Sequence, residues 1–543
     1  MAERRRLGIQ DALWLEMDRP NNLMVVDTVV WTADPLDWDR VRQVIEERLI
    51  NRYPVFRSLA VKDSDGSWWW EVDENFDFGQ HVTIVDLEDP DDRRELQALV
   101  ASHHTEMLDR KKPLWKGIWV NRYRDGSAMI MRTHHAVADG MRMVELAMSL
   151  FDASPEGGPI RGPDVVQHAA RPHPPGRPTK DRLRAAAVRV AGTARRARSV
   201  VDEMLDDPVG RGTDMAEGVV RVAAGLPRIL ARANDFSRLA LENPVGAGHT
   251  ITMSARATVS DVAESVRSTV RAAVPGSGAL VDVFSSAPGD VDTVRKLLIG
   301  TRNDSTLWTG TAGLDKAVAW SEPIPLAKVK AVAKANRCTV NDVLVTCVAG
   351  ALHDYLEAQH ARCSAVTFMV PVNLKPVDVT LPDNLGNEFA LVQLELPTDE
   401  PDALRVLAVA KRRMNRIKHG HEAAVAFRLQ ESIAGFNRQL YEASVGLFTD
   451  RTIGTLTNVP GPPMPVYLAG SKVEGIVGWA PVSGNQPMSF GIFTYNGDVT
   501  VGIACDKTLV PEHETIVEGF TDAFDRLLAA TPRPGPTARA RRR

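Results

Sequence analysis

The run Arg132-Thr-His-His-Ala-Val-Ala-Asp-Gly140 sets two adjacent histidines, an aspartate four residues after the second, and a closing glycine. An imidazole titrates near neutrality, so a positioned histidine is well suited to take a proton from a hydroxyl and return it. Other readings of the same residues are polar side chains satisfied at a strand end, or metal ligands. Structural zinc normally takes four ligands, and Cys338, Cys347, Cys363 and Cys505 form no Cys-x-x-Cys pair. No metal is therefore expected. No Gly-x-Ser-x-Gly elbow occurs either, which argues against serine hydrolysis.

The elements around the motif must hold it. Ser127 to Arg132 is a short apolar run that predicts a strand, and Met143, Val144, Ala147, Met148 and Phe151 recur at helical spacing. Gly140 between them is expected to let the backbone turn tightly. Further upstream, Met24 to Trp31 predicts a strand, Asp34-Pro35 a helix start, and Val41, Val44, Ile45 and Leu49 that helix's buried face. In the second half, Leu391 to Leu396 alternates as a strand, followed by a helix with Leu404, Leu407, Met414 and Ile417 on one side. The same strand-then-helix layout thus appears twice, which fits two similar α/β (α+β) domains.

Composition agrees with a large enzyme. The chain has 543 residues, 44% of them hydrophobic, enough for more than one core, and its net charge of -4 argues against nucleic acid as the main partner. Four cysteines make no disulfide framework and point to a reducing cytoplasm. The first residues lack the apolar core of a signal peptide, and no run approaches the length of about 18 apolar residues that spans a bilayer.

The run His134-His-Ala-Val-Ala-Asp-Gly140 resembles the active-site motif of the bacterial wax ester synthase/acyl-CoA:diacylglycerol acyltransferase family, within the CoA-dependent acyltransferase superfamily. Further blocks in the family's order are Asp11-Ala-Leu-Trp-Leu-Glu-Met17, Pro54-Val-Phe-Arg57, Pro113-Leu-Trp115, Asn341-Asp-Val343, Pro371-Val-Asn373, Gly386-Asn387 and Asn458-Val-Pro-Gly-Pro462. The resemblance implies two chloramphenicol-acetyltransferase-like domains facing each other, joined by a long, partly helical connector, with the histidine loop at their interface. The expected boundaries are 1–153, 154–300 for the connector, 301–530, and a basic tail at 531–543.

An acyl-CoA thioester is already activated, so transfer needs a base and no covalent enzyme intermediate. His135 is the candidate base, taking the hydroxyl proton and returning it to the departing thiolate, with His134 shaping the loop. Such general acid-base help is worth about 10²–10⁴-fold. Asp139 could orient a histidine as in a triad, but the resemblance implies a structural role, an ion pair with an arginine. The oxyanion calls for fixed donors; Asn341, beside Asp342, is either such a polar group or part of a helix cap with Thr339. Pro113, Leu114 and Trp115 are expected to pack beneath the motif. The family usually has an acid after that block, whereas this chain has Lys116.

Between the halves, Ser154 to Pro178 is rich in Pro, Gly and Arg, and Lys180 to Arg198 carries seven basic residues and one acid. With the stretch from Val219 to Leu239, this suits either docking on an anionic lipid surface or a solvated helix at the domain joint. Arg4-Arg-Arg6 and Arg539 to Arg543 add basic termini. The expected activity is transfer of a long acyl chain from acyl-CoA, the co-substrate, to diacylglycerol; the alternatives are wax ester synthesis on fatty alcohols and a non-catalytic lipid-surface protein. No further cofactor is expected, and the expected location is the cytoplasmic side of the inner membrane or a lipid droplet.

Overall fold

The strand that ends in the first histidine sits in the middle of a sheet built by both halves of the chain. The computed structural model describes residues 4–158, 160, 307–373, 385, 387, 389–419 and 452–532. These described residues belong to one compact unit. Most of the connector, and with it the basic stretches 180–198 and 219–239, lies outside them, as does most of the tail.

The first half runs β1 (Arg4–Arg6), α1 (Ile9–Met17), β2 (Val25–Thr32), α2 (Trp38–Ile45), β3 (Ser58–Lys62), β4 (Trp68–Val72), β5 (Val82–Val85), α3 (Arg93–His103), β6 (Trp115–Tyr123), β7 (Gly126–His134) and α4 (Gly140–Ser149). The second half gives β8 (Lys316–Trp320), β9 (Ile324–Pro325), α5 (Leu326–Ala335), α6 (Val340–Ala358), β10 (Ala365–Asn373), β11 (Phe389–Pro397), α7 (Ala403–His419), β12 (Gly454–Pro460), β13 (Tyr467–Leu468), β14 (Ser471–Trp479), β15 (Met488–Tyr495), β16 (Asp498–Asp506) and α8 (His513–Ala530).

A six-stranded sheet runs β13-β14-β2-β7-β6-β5, and a seven-stranded one β11-β10-β12-β15-β16-β8 with β9 paired to β16. Residues 467–479, within the expected second domain, therefore complete the sheet of the first, and the 301–530 unit does not keep its strands to itself. Close approach makes this possible: a Cβ on Gly491 of β15 would sit 1.9 Å from the Gly478 carbonyl oxygen of β14. The two sheets also meet through indoles, with Trp320 of β8 stacked on Trp31 at 6.1 Å and tilted against Trp479 at 6.2 Å.

Several sequence expectations shift in detail. The helix after β2 begins at Trp38, not at Asp34-Pro35, because the Asp37 carboxylate accepts from the Asp39 and Arg40 amides and caps it there. Val41, Val44 and Ile45 are buried on it; Leu49 is buried too, but on the π-helical turn Glu46–Ile50 that follows. In α4 only Leu146 is fully buried, so the expected apolar face lies half-open. Arg4 to Arg6 form a strand on β4, exposed at Arg4 and Arg6, with Arg4 paired to Asp63 at 2.7 Å and Glu71 at 2.9 Å.

Candidate active site

Strand β7 delivers the histidines to the end of the six-stranded sheet, and backbone bonds fix both. The His134 amide donates to the Leu114 carbonyl at 3.0 Å, and the His135 amide to the Met24 carbonyl at 2.8 Å. Leu114 and Trp115 are buried beneath the motif, the Trp115 indole donating to the Phe56 carbonyl at 2.8 Å. The block 113–115 is thus scaffold, and Lys116 pairs with Glu106 at 3.0 Å in place of the family's usual acid.

The two imidazoles have different work. His134 Nδ1 accepts from the Ala136 amide at 3.1 Å, which leaves the proton on Nε2, 3.6 Å from Asp18 Oδ2. Asp18 also accepts from the Met24 amide at 2.9 Å and from Arg110 at 2.8 Å. One carboxylate therefore braces His134 directly and His135 through Met24. Burial lowers the His134 pKa, against the pull of Asp18. Fully buried, with Nδ1 held by a backbone amide and Nε2 facing Asp18, His134 has the setting of a structural member of the loop.

His135 is 5% exposed, and its ring lies on Trp14 of α1 with centroids 4.2 Å apart at 32°. Its carbonyl accepts from Asn387 Nδ2 at 3.0 Å, and the same nitrogen donates to Asp11 Oδ1 at 2.8 Å. Burial pulls its pKa down to about 4; its own carbonyl and Asn387 pull upward, and neighbouring His134 pulls it further down. The imidazole is consequently neutral at physiological pH and able to accept a proton.

The remaining sequence candidates fall elsewhere. Asp139 is the N-cap of α4, accepting from the Arg142 amide at 2.9 Å. That contact is a structural one, made through a backbone amide. Gly140 does not serve a tight turn: it is the first residue of α4, its φ is not positive, and a Cβ there would meet nothing within 4 Å. Gly140→Ala is accordingly expected to change unfolding free energy by less than about 1 kcal/mol, checked by urea denaturation; a larger loss would return the glycine to a backbone role.

Asn341 and Asp342 belong to the start of α6. Thr339 is the N-cap, and Asp342 closes a capping box by accepting from the Thr339 amide at 2.8 Å. Asn341 accepts from Asn458 at 3.0 Å and lines a small cavity with Val345, Val370 and Leu456. Its described partners lie in the second half, none of them in the histidine loop. The structure instead gathers Asp11, Trp14 and Asn387 around His135. The sequence held these in two family blocks without a role, since nothing in spacing connects residue 11 to residue 387.

Two sheets, the first completed by strands of the second half and ending in a buried histidine loop, are the fold of condensation domains. The first condensation domain of the calcium-dependent antibiotic (CDA) synthetase superposes with a TM-score of 0.53 at 14% identity over 97% of each chain. A wax ester synthase/diacylglycerol acyltransferase from Marinobacter aquaeolei VT8 gives 0.58 at 17% identity, over 96% of this chain and 98% of that one. The chain belongs to the wax ester synthase/diacylglycerol acyltransferase family: its catalytic-domain model matches residues 7–344 and its C-terminal-domain model residues 385–528. A putative diacylglycerol O-acyltransferase of Mycobacterium tuberculosis H37Rv is 26% identical over 97% of each chain. A probable one of the same strain is 23% identical over 96% of this chain and 95% of its own length.

Proposed function

We propose that this protein moves a long acyl chain from acyl-CoA to the free hydroxyl of diacylglycerol, giving triacylglycerol and CoA. The observation that carries the reading is His135, buried and held at both its amide and its carbonyl, with burial lowering the pKa of its imidazole. The hydroxyl oxygen attacks the thioester carbon while His135 takes the hydroxyl proton. The tetrahedral oxyanion then collapses, the carbon–sulfur bond breaks, and the imidazolium returns the proton to the thiolate. A fatty-alcohol acceptor would follow the same steps, a reading favoured by the double name of the Marinobacter relative. Both substrates carry long apolar chains, so the proposal includes peripheral contact with a membrane or lipid-droplet surface. Among the described residues no helix is long and apolar enough to cross a bilayer.

Thiol release from palmitoyl-CoA is the test, with diacylglycerol, hexadecanol or no acceptor. Release that depends on diacylglycerol supports the proposal; dependence on hexadecanol alone moves the assignment to wax ester synthesis. No acceptor-dependent release, with tight liposome binding, favours the lipid-surface protein.

The pH dependence follows from the same histidine. A base whose pKa is lowered stays competent as pH falls until that pKa is reached. The acid limb of kcat/KM is expected near pH 4, where His135 titrates to about 4, and not near the ordinary value of roughly 6.5. A profile flat from pH 8 to about 5 agrees with this; a limb centred near 6.5 contradicts it.

A further inference from the structure

Within the histidine loop, the Asp139 carboxylate accepts from the Arg142 amide and caps α4. A different acid approaches the base from the start of the chain. Asp11 Oδ1 accepts from Asn387 Nδ2 at 2.8 Å, and that nitrogen also donates to the His135 carbonyl at 3.0 Å. Both partners are oxygen acceptors, so the Asn387 carboxamide can face them only with its nitrogen. Asn387 is itself 7% exposed. The bridge joins positions 376 and 252 residues apart in sequence.

One helix supplies two of the groups. Asp11 and Trp14 are three residues apart in α1, which puts them on one face, and Trp14 is the ring on which His135 lies. Burial raises the Asp11 pKa, while the Asn387 amide, Arg5 and the Gly8 amide act to keep it ionised. A negative carboxylate there has a use during turnover. The neutral imidazole must become an imidazolium inside a buried site, where an uncompensated charge is costly, and the face of an indole adds attraction for that cation.

We infer that Asp11, acting through Asn387, is the orienting and charge-compensating partner of His135, and that Asn387 and Trp14 are positioning residues of the same arm. The inference rests on the reading of His135 as the base. A purely structural alternative exists, because Asp11 lies in the first turn of α1 and a Cβ on Gly8 would stand 3.1 Å from its Oδ2. Asp11→Asn separates the two: its one oxygen still accepts from Asn387 while the charge is gone, and the amide nitrogen that replaces the oxygen beside Gly8 weakens the helix start, a loss that shows in the thermal midpoint and not in kcat.

The experiment compares Asp11→Asn, Asp11→Ala, Asn387→Ala and the Asp11→Asn/Asn387→Ala double variant with His135→Ala in the thiol-release assay. Asp11→Asn is expected to lower kcat by about 10- to 100-fold with KM for acyl-CoA within about 2-fold, as loss of a group that acts only in the transition state does. Its thermal midpoint should fall by no more than about 4 °C, the size of one weakened helix-start contact. The double variant should be no slower than Asn387→Ala alone, because one arm is cut once. Should Asn387→Ala not fold, Asp11→Ala takes its place against Asp11→Asn, with equal losses expected if charge is what matters. Wild-type kcat in Asp11→Asn, with turnover lost in His135→Ala, overturns the arm and leaves the base standing. Turnover retained in His135→Ala overturns both.

Discussion

Replacing His135 with alanine is expected to lower kcat/KM by about 10²–10⁴-fold, the usual worth of a positioned acid-base group. The loss should appear without unfolding, because two polar anchors of the residue are backbone groups that alanine keeps: the amide on Met24 and the carbonyl on Asn387. His134→Ala should behave differently. It strips Asp18 of a buried neighbour and opens the loop beneath Ala136, so stability falls together with activity. Parallel thiol-release and thermal-unfolding measurements on the two variants separate the roles; an active His135→Ala enzyme would remove the base from the proposal.

The second large effect lies at the motif's first residue. Arg132→Met is expected to cost about 3–5 kcal/mol of folding free energy, because breaking a buried ion pair strands the remaining charge. Arg132 Nε pairs with Asp27 Oδ1 at 3.0 Å, and their side chains are 1% and 2% exposed. Burial alone would raise the Asp27 carboxyl, but Arg132 and His104 together hold it below its ordinary value. Removing Arg132 leaves His104 as the other side chain on that carboxylate. The double variant Asp27→Leu/Arg132→Met should recover most of the loss, since it leaves no orphaned charge. Guanidinium denaturation of both reads this; a double variant no more stable than the single would show that the arginine acts elsewhere.

What the sequence disclosed was whatever a short stretch can encode. Met24 to Trp31 reads as a strand by its apolar content and is observed one residue on, at Val25–Thr32. Leu391 to Leu396 alternates and lies within Phe389–Pro397. Helix caps were harder: Asp34, Asp37 and Asp39 all suit an N-terminus, and which one caps depends on where the chain leaves the sheet. In the site, the histidine pair was legible because its members are adjacent. The groups surrounding His135 were not, because Asp11, Met24 and Asn387 meet only after both halves have folded. The role of Asp139 turned on geometry alone, its carboxylate pointing along α4 at the Arg142 amide. The absence of a steric need for Gly140 likewise appears only in space.

Strand β14 bears on how the protein is made. The ribosome finishes β2 long before residue 471 emerges, and until then β2 offers an unpaired edge along Val473 to Trp479's future positions. An open, apolar strand edge recruits other chains, and nascent chains expose such edges for as long as synthesis lasts. Fragments ending ahead of residue 471 should therefore aggregate during expression, while co-expression with a fragment carrying β13 to β16 should bring them into solution. The histidine loop thus reaches its final setting only when translation is nearly complete, which delays any activity that depends on it until the chain is almost whole.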